Sequence, residues 1–125
     1  MQKLTKAEEE IMQIVWELGE VTVGDIREYV SEKLGQKKPA PSTVSTMMRI
    51  LEEKGFLKHR TYGRAFVYEA VVSKEQYSSR SLRKLLADYF GGSPNRLISF
   101  LVKDQDMSLE ELNELIDKLE KNKDR

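Results

Sequence analysis

The chain has no cysteine, which excludes disulfide frameworks, thiolate metal sites and cysteine nucleophiles. That lack fits a reducing compartment. It has a single histidine, His59, flanked by Lys58 and Arg60. With no partner for nucleophile–base chemistry, His59 reads as an exposed strand residue or a phosphate contact. No apolar run approaches the length of a membrane span, and the opening MQKLTKAEEE lacks a signal-peptide core, so the expected location is cytoplasmic, with no membrane partner. A phosphate-cradling glycine loop is missing. The acidic residues from Asp104 to Asp106 lack the alternating ligand spacing of a calcium loop. Carboxylates elsewhere lie at helical spacings that pair them with lysines, as Glu114 with Lys118 and Asp117 with Lys121. The expectation is therefore no enzyme, no metal and no cofactor.

What remains is a charge pattern. The formal net charge is zero, from 21 basic and 21 acidic residues, but the segments differ. Residues 1–35 hold four Lys or Arg against eight acids, and residues 36–70 hold seven against three. The remainder is balanced at ten against ten. A neutral total thus hides a dipolar molecule with one basic segment, the footprint expected of a nucleic-acid binder. At 125 residues, with 39% hydrophobic residues, 34% charged and a mean hydropathy of −0.56, the chain is one domain or a domain with an appendage and a large solvated surface.

The basic segment contains PSTVSTMMRILEEKGFLKHRTYGRAFVY, from Pro41 to Tyr68. Val44, Met47, Met48 and Leu51 recur at helical spacing and form a core-facing stripe. Ser42, Ser45, Thr46 and Arg49 fall on the opposite side of that helix. Short hydroxyl side chains let a backbone come close to what they touch, and one arginine adds a fork of donors. Gly55 supplies a left-handed helix stop. Two alternating runs follow, Phe56 to Thr61 and Ala65 to Ala70, joined by a turn at Tyr62-Gly63-Arg64. A helix suited to the major groove followed by a cationic hairpin is the heart of a winged helix-turn-helix. Lys38 in the basic connector, Lys58 and Arg60 on the hairpin, and Arg64 at its tip complete the candidate DNA contacts.

Helix starts are marked by hydroxyls three residues before an acid or amide: Thr5 with Glu8, Thr22 with Asp25, Ser73 with Gln76, and Ser108 with Glu111. The first helix is expected over 6–18, with Ala7, Ile11, Ile14, Val15 and Leu18 inward and Trp16 as a large core filler. The second is expected over 23–34, with Val23, Ile26, Val30 and Leu34 inward. Pro41 suits the opening turn of the third. The expected fold is mainly α with a small β-hairpin wing: a winged-helix DNA-binding domain over 1–72 and a helical dimerisation domain over 73–125.

In that second segment, 74–90 reads as a helix carrying Leu82, Leu85, Leu86, Tyr89 and Phe90. Ser93-Pro94 opens another with Leu97, Ile98, Leu101 and Val102, a run expected to be buried. The last, over 109–119, spaces Leu109, Leu112, Ile116 and Leu119 three, four and three apart, an a/d seam. These faces need another surface, and a second copy of the chain is the simplest one. Leu85, Leu97, Leu101 and the seam are the expected dimer contacts.

The runs LTKAEEEIMQIVWELGEVTVGDI and STVSTMMRILEEKGFLKHRTYGRAFVYEAVV closely resemble the family of penicillinase and methicillin-resistance repressors. The resemblance covers most of the chain and implies a homodimeric transcriptional repressor with an N-terminal winged helix and a C-terminal helical dimerisation domain. It places Ser42, Thr43, Ser45, Thr46 and Arg49 at the major groove, and Arg64 on the phosphate backbone. It also implies a sensor or protease pathway that cleaves between an asparagine and a phenylalanine just before the last helix. The matching region is Ser99, Phe100 and Leu101, where Phe100-Leu101 and Ser99-Phe100 both differ in the residue before the bond. A copper-sensing branch uses C-terminal cysteine pairs, which this chain lacks. The expected release from DNA is therefore a small ligand between the domains, or competition at the promoter.

The leading function is a dimeric, sequence-specific repressor that covers a double-stranded DNA operator. The rival is a winged-helix protein-interaction module without sequence-specific DNA binding. Such a module should expose aromatics or large aliphatics on the third helix, where this chain offers hydroxyls and Arg49, with Ile50 at the margin.

Overall fold

The computed structural model describes residues 2–123, and of positions 116 and 118–123 only the helix backbone. The expected seam positions Ile116 and Leu119 therefore lie outside the described side chains. The chain divides into two compact units, Met1–Lys74 and Glu75–Arg125.

The first unit opens with α1 (Lys6–Leu18), entered through a complete capping box. Glu8 N–H donates to Thr5 Oγ1 at 3.2 Å, and Thr5 N–H donates to the Glu8 carboxylate at 2.8 Å, satisfying two of the amides a helix start leaves open. Helix α2 (Val23–Glu32) repeats the device with Thr22 and Asp25. Helix α3 (Pro41–Glu53) starts differently, from Ala40 and Pro41 with no side-chain cap. It ends at Lys54, and Gly55 at φ 85° turns the chain out of the helix.

Strands β1 (Leu57–Tyr62) and β2 (Ala65–Ala70) then pair antiparallel, from Leu57 opposite Ala70 to Tyr62 opposite Ala65. Their two-residue loop has φ 63° at Gly63 and no positive φ at Arg64, the type II′ pattern whose twist suits a hairpin. A third piece of sheet comes from the α1–α2 connection. Val21 exchanges both backbone hydrogen bonds with Tyr68, at 2.9 and 2.7 Å.

The core of this unit gathers Leu4, Ile11, Met12, Ile14, Val15, Val21, Ile26, Val44, Met48, Leu51, Phe56, Leu57 and Tyr68. Several inward assignments shift. On α1 the buried stripe is Glu8, Ile11, Met12 and Val15 with Ile14, so Met12 takes the place expected of Ala7. Leu18 is 45% exposed at the last turn, and Leu34 is exposed beyond the end of α2, where no helix carries it inward. Val23, Val30 and Met47 are half-buried. Trp16 is half-buried rather than a core filler, because its indole N–H reaches the Val72 carbonyl at 2.9 Å.

The second unit carries α5 (Pro94–Lys103), α6 (Leu109–Lys123) and all but the first residue of α4 (Lys74–Tyr89). Helices α4 and α5 have no buried residue. Leu97, Leu101 and Val102 are half-buried, while Ser99 and Phe100 are exposed, so the burial expected across 97–102 is not found within the single chain. The Ser108 hydroxyl caps α6 by accepting from Glu111 N–H at 3.0 Å and donating to the Glu111 carboxylate at 3.2 Å.

Candidate nucleic-acid interface

Helix α3 presents Ser42, Thr43, Thr46 and Arg49 to solvent, with Ser45 half-buried beside them. Val44, Met48 and Leu51 anchor the opposite side in the core, which fixes the rotation of the helix and hence which side chains face out. Ile50 is half-buried, and no aromatic residue lies on the helix. Because the start of α3 has no side-chain cap, its first amides add positive potential beside the hydroxyls, an arrangement suited to phosphate.

The approach to α3 is held in place. Arg27 Nε donates to the Pro39 carbonyl at 2.8 Å, tying the connector to α2. Lys38 in the same connector pairs with Glu28. The hydrogen bond from Lys38, and then its charge, hold the Glu28 carboxyl below its ordinary value.

On the wing, the expected cations divide into two groups. Lys58 pairs across the strands with Glu69 at 3.4 Å, and Arg60 pairs with Glu20 at 3.1 Å while lying 6.0 Å from the Tyr62 ring centre. Both pairs are exposed, the kind worth about 0–1 kcal/mol, so a phosphate can compete for either cation. Arg49 and Arg64 make no ion pair among the described residues. The two free arginines thus stand on the helix face and at the wing tip, beside Tyr62, which is 74% exposed.

His59 is an exposed strand residue on β1, one of the two readings expected of it, and it has a partner that the sequence reading did not foresee. Its Nδ1 lies 2.7 and 2.8 Å from the two carboxylate oxygens of Glu52 on α3, and its ring stacks on Phe66 at 4.5 Å. This joins the end of α3 to the wing. A pair seven residues apart across a helix stop and a strand leaves no periodic trace, so the sequence pattern did not reveal it.

The profile of the family described as Penicillinase repressor matches residues 4–121. The chain belongs to the penicillinase repressor family. That family is one of DNA-binding transcriptional repressors rather than enzymes, which bears out the class expected from the sequence. The "Penicillinase repressor" of Bacillus licheniformis is 28% identical over 123 residues, covering 98% of this chain and 94% of its own. The "Methicillin resistance regulatory protein MecI" of Staphylococcus aureus (strain N315) is 26% identical over 113 residues, covering 90% of this chain and 89% of its own. Among solved structures, the DNA-binding domain of the repressor BlaI matches with a TM-score of 0.50 and 29% identity, covering 62% of this chain and 94% of its own. The winged-helix fold expected for the penicillinase repressor resemblance is the fold observed.

The expected dimer contacts of this penicillinase repressor relative fall into three sets. Leu85 and Leu109 are exposed, the latter at 69%. Leu97 and Leu101 are half-buried. Leu112 is 7% exposed, already buried within its own chain, so its burial needs no second subunit. No described helix is long and apolar enough to cross a membrane.

Proposed function

We propose that the chain represses transcription by covering a double-stranded DNA operator as a homodimer. Helix α3 enters the major groove, and the β1–β2 wing holds the phosphate backbone. The observation that carries this reading is the outer face of α3. It offers exposed Ser42, Thr43, Thr46 and an Arg49 with no ion pair among the described residues, where a protein-docking helix would offer large apolar side chains. Arg64 at the wing tip, with Lys58, Arg60 and Lys38 in exchangeable exposed pairs, supplies contacts that do not depend on sequence.

Homodimerisation is read from the second unit. Leu82, Leu85, Tyr89, Phe100, Leu109 and Leu115 are large, apolar and exposed on a short helical unit. Side chains of this kind are covered in stable proteins, and a two-fold copy of the same face covers them with its own. Two linked half-sites then bind as one unit. Relief of repression is read as a route other than cleavage after asparagine, since Ser99 and Phe100 stand where that residue would be needed.

The test uses the highest-affinity genomic fragment selected by the purified protein, a scrambled duplex and a salt series. Arg49→Ala should weaken specific binding by about 1–3 kcal/mol, the worth of a bidentate contact to a guanine edge. Arg64→Ala should weaken both duplexes alike and lower the salt slope by about one unit. Unchanged binding by Arg49→Ala would remove α3 as the reading helix.

A further inference from the structure

Glu52 sits three residues beyond Arg49 on α3, a spacing at which opposite charges meet on a helix surface. The two do not pair. Both Glu52 carboxylate oxygens are instead turned to His59 Nδ1 on β1, at 2.7 and 2.8 Å. A carboxylate only accepts, so Nδ1 carries the proton in this bond. The imidazole is itself fixed. It stacks on Phe66 at 4.5 Å with 26° between planes, and it lies 5.6 Å from the ring of its cross-strand partner Tyr68.

Arg49 and Glu52 share this corner with Tyr68. Burial first, then the Glu52 charge, raise the Tyr68 phenol above its ordinary value, and the Arg49 charge works against them. Both head groups are therefore close enough to one phenol to be felt by it, yet only the acid is held by a partner among the described residues.

We propose that His59 is a positioning residue for DNA reading. By holding the Glu52 carboxylate toward the wing, it keeps Arg49 from closing an ion pair along its own helix and leaves the guanidinium free for a base edge. The wing then acts on sequence recognition without touching a base. Its histidine decides which charge on α3 is available. This rests on the assignment of Arg49 to the groove made above.

The experiment compares the full-length parent, His59→Phe, His59→Phe with Glu52→Gln, and Arg49→Ala. Each is titrated at low salt against the highest-affinity genomic fragment and against scrambled DNA. Phenylalanine keeps a ring on Phe66 and removes the hold on Glu52. His59→Phe should lose about two- to fivefold in affinity for the selected fragment, the range of an exposed ion pair that must open first. It should lose less on scrambled DNA, so the preference falls. Adding Glu52→Gln, which removes the freed charge, should restore the parent value. A purely structural role for His59 would not be rescued in this way. Parent-like binding by His59→Phe where Arg49→Ala weakens binding overturns the inference alone. So does a loss that Glu52→Gln fails to restore. Parent-like binding by Arg49→Ala overturns the assignment of the reading helix, and the inference falls with it.

Discussion

Replacing Glu8 by glutamine separates two jobs that one side chain performs. The carboxylate accepts from Thr5 N–H at 2.8 Å, closing the cap of α1, and from Lys54 Nζ at 2.7 Å, which ties that cap to the end of α3. Lys54 also donates to the Lys3 carbonyl at 3.2 Å. Glu8 is buried, and the Lys54 side chain is only 20% exposed, so the pair is shielded on both sides. Glutamine keeps an acceptor for Thr5 and discards the charge, whereas alanine discards both.

A hydrogen bond to a charged group contributes about 1.5–3 kcal/mol, and a lost helix cap costs about 1 kcal/mol more. Glu8→Gln should therefore destabilise the N-terminal unit by about 2 kcal/mol and Glu8→Ala by about 3 kcal/mol. On a unit of this size, about 2 kcal/mol lowers the melting temperature by roughly 8–16 °C. The single tryptophan, Trp16, lies in this unit and reports its unfolding by fluorescence in urea. The pH dependence isolates the charge. Burial pushes the Glu8 carboxyl up, but the hydrogen bonds from Lys54 and Thr5 and the Lys54 charge outweigh it, so it lies below its ordinary 4.5. A depressed carboxyl contributes stability that is fully present above the unfolded value and is lost as pH falls through the folded one. The gap between parent and Glu8→Gln should stay constant near neutrality and close below about pH 4.5. A gap that is the same at pH 3 and pH 7 would refute the role given to the charge.

Two further outcomes bear on the wing and on the dimer. Gly63→Val should destabilise the hairpin by about 1–2 kcal/mol, because a β-branched residue is strained at φ 63°, and it should weaken the selected fragment and scrambled DNA alike in binding titrations. Leu109→Asp, at a position 69% exposed in the single chain, should give a folded monomer by sedimentation and helical content by circular dichroism, with operator affinity reduced through lost linkage of half-sites; parent protein that sediments as a monomer at micromolar concentration would contradict the dimer.

Local signals in the sequence carried most of the element order. Thr5 with Glu8 and Thr22 with Asp25 marked the starts of α1 and α2, because a capping box needs only residues three apart. Val44, Met48 and Leu51 marked the inner face of α3, and with it the outer face bearing Arg49, because helical periodicity links the two. Gly63 marked the hairpin turn, since its backbone angle suits glycine above all.

Tertiary structure alone decided what these elements do to one another. Which side chain of α1 lies inside depended on what it meets: Met12 is fully buried and Leu18 is not, though both are apolar residues of one helix. The Val21–Tyr68 bridge, the Lys54–Glu8 pair and the His59–Glu52 pair join residues 47, 46 and 7 apart. No periodicity of a single element relates such positions. Composition supplied seven basic residues in segment 36–70, but folding chose which remain available. Lys38, Lys54, Lys58 and Arg60 found acids at hand, and Lys37, Arg49 and Arg64 were left without one among the described residues. A free cation at a surface reflects the absence of a neighbour, and neighbours are set by the fold rather than by sequence spacing.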